Sequence, residues 1–510
     1  MKQKMRANRE YPTVMHMLRE SGFDEQLLFV EEKKNGLQIT RKQWKKDLLE
    51  TAGKISQMQA KHIGIVCDLS YGCILCMFAV IAAGKVLVPL EADQNGQQLD
   101  KFVEKADIGL LLYPEDRIEG TVTGCEAVTI PEFLSRSGKA LPQWPFWEPE
   151  RNACIFFTSG TEGTPRGVVL THKNLSFANS YNGYRKMDRN PRILLFLPIH
   201  HEFTFVALAV SIHDGCEIHL SESAKYLTRE IIQVKPDVLT TVPMVNELFR
   251  SGISKGIADS GKEEKLRGLI RISNGLRKLG IDLRTPLFQK LREQLGCLPQ
   301  LIITGGAAAS EDTIRFFDDM GIVVLQAYGA TETTSPIATN RLEANRIGSV
   351  GKPLWFNQVR IKDGEIQVRG ENVMKAYYKD PQATAAAFDD GWLKTGDLGY
   401  LDEDGYLYIT GRLKNLIILD SGENVSPEEL EKQLMRSPWV SEAVVCQRSN
   451  RIHAQILGAL QPDTTEAALK EAIGAAVNEI NLQNPVYKRI ASWELRKEPF
   501  EKTSSQKIKR

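Results

Sequence analysis

The sequence predicts an α/β protein with several domains or subdomains, ending in a small α+β unit. Its 510 residues are too many for one hydrophobic core and indicate two to four domains or subdomains. Short apolar strands alternate with helices near the start, which is typical of α/β folds. Turn signals between alternating segments, at residues 362–364 and 402–405, predict β-hairpins further along the chain.

The first elements predict a parallel sheet. Residues 63–67 and 86–90 have the apolar pattern of buried strands, and residues 71–84 form a buried helix between them. Residues 108–112 continue the sheet, and the Pro- and Trp-rich residues 142–150 form a connecting loop. Cys73 and Cys76 lie within the helix without a second cysteine pair, so we interpret them as core residues and not as metal ligands.

A loop rich in hydroxyls and glycines, residues 158–167, follows an apolar strand at residues 153–157. Glycines let backbone N–H groups approach a phosphate, hydroxyls add donors, and Arg166 adds a fixed positive charge. Neither G-x-x-x-x-G-K-[ST] nor a strand-flanked G-x-G-x-x-G is present. The loop therefore predicts a phosphate site of another kind, although a plain surface turn would have the same composition.

Several later strands end in polar or glycine-rich segments. Residues 192–198 lead into His200 and His201, residues 301–304 lead into Gly305, and residues 323–328 form the next strand. Ligands of open α/β sheets bind at such carboxyl ends. Hairpins dominate residues 359–401, a helix starts near Pro427, and strands near 443–446 and 454–460 with a helix near 465–480 form the terminal α+β unit.

The bulk composition excludes several classes of function. The formal net charge is +1, which gives no reason to expect nucleic-acid binding. The longest apolar helical run, residues 72–83, is too short to span a bilayer, and the basic start of the chain lacks a following apolar segment. The eight cysteines form no disulfide framework and no Cys/His metal site. A cytoplasmic protein is predicted, with peripheral contact at a bilayer surface left open.

Five further stretches follow the hydroxyl-rich loop in a fixed order: GGA at 305–307, QAYGATE at 326–332, WLKTGD at 392–397, GRLK at 411–414 and KTSSQKIKR at 502–510. Together they resemble the signature motifs of the adenylate-forming superfamily, which comprises acyl-CoA synthetases, nonribosomal-peptide adenylation domains and firefly-type luciferases. The resemblance runs from about residue 37 to residue 510. It implies a large N-terminal domain of stacked α/β subdomains with a β-rich subdomain, residues 1–411, and a small mobile C-terminal domain, residues 412–510, with its hinge at Lys414.

The resemblance also implies the cofactors ATP, Mg²⁺ and coenzyme A, and a role for each matching residue. ATP or AMP would be bound by Thr158, Ser159, Gly160, Thr161, Glu162, Gly163, Arg166, Gly305, Gly306, Ala307, Tyr328, Gly329, Asp397 and Arg412. Thr331 would donate to the α-phosphate, Glu332 would hold Mg²⁺, and Lys507 would reach into the site during adenylation. His201, Ala327 and Gly422 would lie on the acyl and pantetheine side.

The implied reaction activates a carboxylic acid as an acyl-adenylate and transfers the acyl group to coenzyme A. The stretches at residues 197–202, 415–419 and 422–431 look like the bacterial long-chain branch of the family, which favours a fatty acid. Glu202 and Phe203 stand where peptide-synthetase domains carry Phe-Asp, which disfavours an α-amino acid. Two alternatives stay open: an enzyme that loads an acyl carrier protein, and an inactive nucleotide-binding protein, which the departures at Arg166, Ala327 and Gln506 would permit.

Overall fold

The structure is a computed structural model that describes residues 10–20, 28–32, 34–115, 118, 120–158, 165–178, 190–284, 286–289, 299–419, 423–448, 451–459, 464–502 and 508. No helix in these ranges is long and apolar enough to cross a membrane.

The helices and strands alternate along most of the chain. The helices are α1 (Val14–Arg19), α2 (Arg41–Ser56), α3 (Tyr71–Ala82), α4 (Gly96–Ala106), α5 (Ile130–Ser135), α6 (His172–Ala178), α7 (Glu202–His213), α8 (Leu227–Val234), α9 (Pro243–Asp259), α10 (Glu263–Lys278), α11 (Glu311–Asp319), α12 (Pro381–Ala387), α13 (Pro427–Leu434) and α14 (Glu466–Gln483). The strands are β1 (Leu28–Glu32), β2 (Leu37–Thr40), β3 (His62–Cys67), β4 (Val86–Glu91), β5 (Ile108–Tyr113), β6 (Glu126–Thr129), β7 (Asn152–Thr158), β8 (Arg166–Thr171), β9 (Arg192–Leu195), β10 (Glu217–Leu220), β11 (Val238–Thr241), β12 (Leu301–Thr304), β13 (Val323–Tyr328), β14 (Ala338–Thr339), β15 (Lys352–Pro353), β16 (Asn357–Lys362), β17 (Glu365–Gly370), β18 (Ala376–Tyr377), β19 (Phe388–Asp389), β20 (Trp392–Leu401), β21 (Leu407–Arg412), β22 (Ile417–Ile418), β23 (Asn424–Val425), β24 (Val440–Arg448), β25 (Arg451–Gly458) and β26 (Ile490–Arg496).

The chain divides into two compact units. The first consists of Met1–Ile347, Gly351–Gln358 and Val368–Leu393, and the second of Gly348–Val350, Val359–Gln367 and Lys394–Arg510. The predicted α/β fold class, with a large N-terminal domain of several sheets and a smaller C-terminal domain, is confirmed. The predicted boundary between residues 411 and 412 stays a prediction.

A seven-stranded sheet in the first unit has the order β18-β8-β7-β4-β3-β5-β6. Strands β3 to β7 pair in parallel, as the early alternation predicts, and α3 connects β3 to β4. Ser70 caps α3, its hydroxyl accepting from the backbone N–H of Cys73 at 3.2 Å. Cys73 and Cys76 are fully buried in this helix, which agrees with their interpretation as core residues.

A nine-stranded sheet in the same unit has the order β15-β14-β13-β12-β11-β9-β10-β1-β2. Its central strands β9, β11, β12 and β13 are parallel, so their carboxyl ends share one edge. Helix α7 follows β9 and packs toward the seven-stranded sheet, because the ring of Phe205 lies 5.2 Å from Phe78 on α3 and 5.7 Å from Phe156 on β7. The predicted strands near residues 192–198, 301–304 and 323–328 all belong to this sheet.

The second unit contains the terminal α+β structure that the sequence predicts. Strands β24, β25 and β26 form a three-stranded sheet, and α13 and α14 bury Leu430, Leu434, Ile473 and Val477 against it. Pro427 occupies the first turn of α13, where its missing N–H costs no hydrogen bond.

The predicted hairpin region forms a five-stranded sheet of the order β16-β17-β20-β19 with β21 on β20. Asp363 and Gly364 make its first hairpin turn with positive φ.

Three features were not predicted from the sequence. Strand β2 pairs antiparallel with β1 in the nine-stranded sheet and does not join the sheet of β3 and β4. Strand β8 runs antiparallel to β7, so the seven-stranded sheet is parallel only in part. A short helix, α12, interrupts the predicted run of hairpins; Asp380 caps it by accepting from the N–H of Ala383 at 2.8 Å.

Candidate active site

The hydroxyl-rich loop closes the end of a β-hairpin. In the antiparallel pair β7–β8, Thr158 lies opposite Arg166. The two ends of the loop between them are therefore neighbours in the sheet. Both residues are half-buried, and the guanidinium carbon of Arg166 lies 5.6 Å from the centre of the Tyr377 ring. Ser159, Gly160, Thr161, Glu162 and Gly163 lie outside the described residues.

The glycine pair after β12 lies at the carboxyl edge of the nine-stranded sheet. A Cβ on Gly305 would meet the ring of Phe203 at 3.0 Å, so the ring can pack here only because the residue is glycine. Gly306 has a φ of +80°, and both it and Ala307 are exposed. The edge therefore presents open backbone at the position where parallel sheets bind ligands.

The turn after β13 brings Tyr328, Gly329, Thr331 and Glu332 to the same edge. Residues 331–333 form a single 3-10 turn, and its ends are held by hydrogen bonds between the backbone of Ala330 and the hydroxyl of Thr333. A Cβ on Gly329 would meet the Cα of Pro336 at 3.0 Å. The segment that contains Pro336 can therefore pack this closely against residue 329 only because that residue is glycine. Tyr328, Thr331 and Glu332 are all half-buried.

Two neighbours on and beside strand β18 hold Glu332. The phenol of Tyr377 donates to its Oε1 at 2.9 Å, and the backbone N–H of Met374 donates to its carbonyl at 2.7 Å. Burial, with the Glu332 carboxylate beside it, raises the pKa of the Tyr377 phenol, so this group is a donor at every physiological pH. Glu332 is thus fixed at both its main chain and its side chain.

Helix α7 starts beside this turn. His201 is its N-cap residue, and its ring lies 4.1 Å from the ring of His200. Burial, with His201 nearby, lowers the pKa of His200 to about 3, so His200 is neutral at pH 7. Both histidines are half-buried.

Glu202, the first residue of α7, is a buried carboxyl that sequence reasoning considered only as a departure from Phe-Asp. Its side chain accepts from the Ser335 hydroxyl at 3.0 Å, while Oε1 is buried and has no hydrogen-bond partner among the residues that the structure describes. Its pKa is raised from 4.5 to about 8, mainly by burial and also by the Glu332 carboxylate, while the Ser335 hydrogen bond partly opposes the rise. Glu202 is therefore mainly protonated at pH 7.

Contacts join these segments into one constellation in the first unit. Phe203 on α7 packs on Gly305, and Gly305 lies next to the carbonyl of Ala327. Ser335 links α7 to the turn after β13, and Tyr377 lies between that turn and Arg166. The predicted site residues of this unit that are described therefore belong to neighbouring loops at the edges of the two sheets.

The predicted residues of the second unit form a separate group. Asp397 on β20 is opposite Arg412 on β21, and the Arg412 Nε lies 2.7 Å from an Asp397 carboxylate oxygen. Asp397 is buried, whereas the Arg412 side chain is about half exposed. Lys414 lies in the 3-10 turn Leu413–Asn415 that follows β21. Gly422 and Lys507 lie outside the described residues.

A magnesium ion of the predicted kind needs few protein ligands. In the described ranges, no three His, Cys, Asp or Glu side chains are grouped closely enough to hold a metal ion. Mg²⁺ bound with a nucleotide takes one or two carboxylates and completes its shell with phosphate oxygens and water. Glu332, half-buried with Oε1 on Tyr377, fits such a ligand.

Comparisons with known proteins identify the family of the chain. The family described as "AMP-binding enzyme" matches residues 37–378, and "AMP-binding enzyme C-terminal domain" matches residues 414–510. The long-chain-fatty-acid–CoA ligase FadD15 of Mycobacterium bovis is 30% identical over 411 residues, which cover 72% of this chain and 68% of the relative. The long-chain-fatty-acid–[acyl-carrier-protein] ligase AEE15 of Arabidopsis thaliana is 27% identical over 412 residues, covering 68% of this chain and 56% of the relative.

A solved structure confirms the fold over nearly the whole chain. The o-succinylbenzoate CoA synthetase of Bacillus subtilis, in complex with its acyl-adenylate intermediate, has a TM-score of 0.76 at 23% identity and covers 98% of this chain and 97% of its own. A second structure of that enzyme holds ATP and a magnesium ion, with a TM-score of 0.74 at 22% identity over 96% of this chain and 98% of its own. The chain therefore belongs to the AMP-binding enzyme family and is an adenylate-forming enzyme of the acid–CoA ligase type.

Proposed function

We propose that this enzyme joins a fatty acid to coenzyme A in two steps. In the first, the carboxylate oxygen of the acid attacks the α-phosphorus of ATP, forming acyl-adenylate and releasing pyrophosphate. In the second, the thiol of coenzyme A attacks the acyl carbon, forming the thioester, AMP and a proton. The observation that carries the proposal is the half-buried Glu332, which is fixed at its main chain by Met374 and at its carboxylate by Tyr377, whose ring lies beside Arg166.

Adenylation brings an anionic carboxylate to an anionic phosphate, so positioning and charge neutralisation must do most of the work. We assign phosphate binding to the loop from Thr158 to Gly163 and to Arg166, and the α-phosphate to the hydroxyl of Thr331. Glu332 would hold Mg²⁺, which supplies positive charge to the phosphate oxygens when bound. The backbone of Gly305–Ala307 and the ring of Tyr328 would bind the adenine.

The acid is assigned to the side of the site where α7 begins. His201 is placed at the N-terminus of this helix, and most of the residues that follow it are buried, with Phe205, Val206, Leu208, Ala209, Val210 and Ile212 as the buried apolar ones. Ala327, which stands where many relatives have glycine, adds a methyl group to the wall of the acyl pocket. The fatty-acid preference is supported by the long-chain-type stretches at residues 197–202 and 422–431 and by the likeness to FadD15.

The second unit is assigned the ribose and the conformational steps. The carboxylate of Asp397 can accept from two neighbouring hydroxyls, and Arg412 orients it through their 2.7 Å contact. Lys507 would approach the reacting oxygens during adenylation, and rotation about Lys414 would bring Gly422 to the pantetheine path. We place the enzyme in the cytoplasm, with access to fatty acids at a bilayer surface.

A second acceptor for the acyl group is favoured by one comparison. AEE15, an acyl-carrier-protein ligase by name, is similar to this chain over 412 residues. Coenzyme A and a carrier protein present the same phosphopantetheine thiol, so the chemistry of the second step is identical with either.

Mass spectrometry of the products tests the proposal. The enzyme is incubated with ATP, Mg²⁺, coenzyme A and a panel of short, medium, long-chain and aromatic acids. A long-chain acyl-CoA is the expected product, and the Glu332→Gln variant should form much less of it. Acyl-adenylate without thioester would point to a carrier protein as the acceptor, and neither product from any acid would refute the proposed reaction.

A further inference from the structure

Tyr377 lies between two segments that the sequence motifs treat separately. Its phenol donates to Oε1 of Glu332 at 2.9 Å, although the two residues are 45 positions apart in the chain. Its ring lies 5.6 Å from the guanidinium carbon of Arg166, at the end of the hydroxyl-rich loop. A single side chain therefore contacts both the turn after β13 and the end of this loop.

The backbone around Tyr377 fixes its position relative to the hydroxyl-rich loop. Strand β18 pairs antiparallel with β8, so that Tyr377 lies opposite Val168. The N–H of Tyr378 donates to the carbonyl of Gly167 at 2.7 Å. Since Gly167 directly follows Arg166, these backbone bonds connect the Tyr377 segment to the strand on which the loop ends.

The segment before β18 also fixes the turn that carries Glu332. The N–H of Met374 donates to the Glu332 carbonyl at 2.7 Å, and the amide of Asn372 donates to the Thr333 carbonyl at 2.6 Å. The Thr334 hydroxyl donates to the Asn372 carbonyl at 2.8 Å. With the main chain of the turn held in this way, the hydrogen bond from Tyr377 determines only the rotation of the Glu332 carboxylate.

We propose that Tyr377 is a positioning residue that orients the Glu332 carboxylate toward the Mg²⁺ of the bound nucleotide. The phenol donates to Oε1 of Glu332, whereas Oε2 has no hydrogen-bond or ion partner among the residues that the structure describes. Oε2 is therefore the oxygen presented to the cation. Partners that orient a metal ligand in this way typically change metal affinity 10- to 100-fold when they are removed. The inference rests on the proposed role of Glu332 as the magnesium ligand.

Binding of ATP in the absence of an acid substrate tests the inference without turnover. Calorimetric titrations of the full-length enzyme give the Kd of ATP with excess Mg²⁺ and with EDTA. The Kd in EDTA divided by the Kd with Mg²⁺ is the metal-dependent gain in affinity for ATP. The Tyr377→Phe variant keeps the ring beside Arg166 and the pairing of β18 and loses only the hydroxyl. We expect its metal-dependent gain to fall roughly tenfold, while its Kd in EDTA stays within about twofold of wild type.

The adjacent tyrosine provides a matched control. The phenol of Tyr378 donates to the carboxylate of Asp107 at 2.6 Å, away from Glu332, so Tyr378→Phe should leave both Kd values unchanged. Thermal unfolding of both variants checks that each is folded. An unchanged metal-dependent gain in Tyr377→Phe would overturn the positioning role.

Glu332→Gln separates this outcome from failure of the proposed function. If Glu332→Gln loses the metal-dependent gain and Tyr377→Phe keeps it, Glu332 is the metal ligand and the positioning role of Tyr377 is wrong. If Glu332→Gln itself keeps the metal-dependent gain, Glu332 is not the Mg²⁺ ligand, and the inference about Tyr377 is also wrong. Loss of the gain in both variants, with Tyr378→Phe unchanged, supports both assignments.

Discussion

Glu202 should make the stability of the enzyme fall with rising pH, and replacing it with glutamine should remove this effect. The folded protein holds the pKa of Glu202 at about 8, against 4.5 for an unperturbed carboxyl, because burial penalises the charged form. The unfolded chain therefore releases the proton at a lower pH than the folded protein does. Between these two values the folded state binds more protons, so stability decreases as pH rises toward 8 and is fully retained only below 4.5.

The size of the effect follows from the two pKa values. Relative to a side chain that never ionises, Glu202 destabilises the folded state by about 2 kcal/mol at pH 6 and about 4 kcal/mol at pH 8. Glutamine stays neutral, and its carbonyl can accept the hydrogen bond from Ser335. We therefore expect the unfolding free energy of Glu202→Gln to rise relative to wild type by about 2 kcal/mol between pH 6 and pH 8.

Thermal unfolding of both proteins at pH 6, 7 and 8 measures this difference. For a unit of this size the change corresponds to a Tm gap that widens by about 2–3 °C in favour of the variant. Other titrating groups are common to both proteins, so their contributions cancel in the difference. A gap that stays constant or narrows from pH 6 to pH 8 would refute the reasoning.

Glu230 is a suitable control because it is equally buried and differently bonded. One of its oxygens accepts from the Ser221 hydroxyl at 2.5 Å, and the other accepts from the N–H of Glu222 at 3.0 Å. Glutamine at this position would turn an NH₂ group toward one of these donors. We expect Glu230→Gln to lower the Tm, because the NH₂ group leaves one of these donors without an acceptor.

Three further predictions concern the proposed site and its scaffold. Lys507→Ala should slow adenylate formation about 100- to 1000-fold, because a cation about 4 Å from the reacting oxygens contributes roughly 4 kcal/mol. The same variant should still form thioester from supplied acyl-adenylate. Equal losses in both half-reactions would contradict the assignment of a swinging C-terminal domain. Asp397→Asn should raise the KM for ATP about 10-fold or more in a pyrophosphate-release assay, and a raised KM for the acid instead would exclude the ribose role. Gly329→Ala should lower the unfolding free energy by about 1–3 kcal/mol, because its Cβ would meet Pro336 at 3.0 Å, whereas Gly252→Ala on α9, with nothing within 4 Å, should not destabilise.

The parts of the site that the sequence could predict are those that lie within one local segment. The strand before the hydroxyl-rich loop and the strand before Gly305 are short apolar runs followed by glycine, so pattern alone indicates a ligand-binding edge. Helix α12 was missed although its signal was present, since Asp380 followed by Pro381 is typical of a helix start. Its seven residues are too short and too exposed to show a helical period.

The parts that the sequence could not predict are hydrogen bonds between distant segments. Tyr377 and Glu332 are 45 positions apart, and Ser335 and Glu202 are 133 positions apart. These contacts depend on the pairing of β18 with β8 and on the packing of α7 between the two sheets. Both are features of the tertiary structure that no local sequence pattern indicates. The buried state of Glu202 could not be read from a residue type that is almost always exposed.

The turn after β13 brings together two carboxylates with opposite requirements. In the proposed function Glu332 holds a cation, whereas a charge on Glu202 would add one more anion to the site to which we assign the acid and the phosphates of ATP. The N-terminus of α7 favours a negative charge on Glu202 by only about 0.3–1 kcal/mol. Burial opposes that charge more strongly, because a pKa of about 8 in place of 4.5 corresponds to roughly 5 kcal/mol. Burial therefore keeps Glu202 uncharged at neutral pH. Glu332, which is half-buried and accepts a hydrogen bond from Tyr377, is the carboxylate that can bind a cation here.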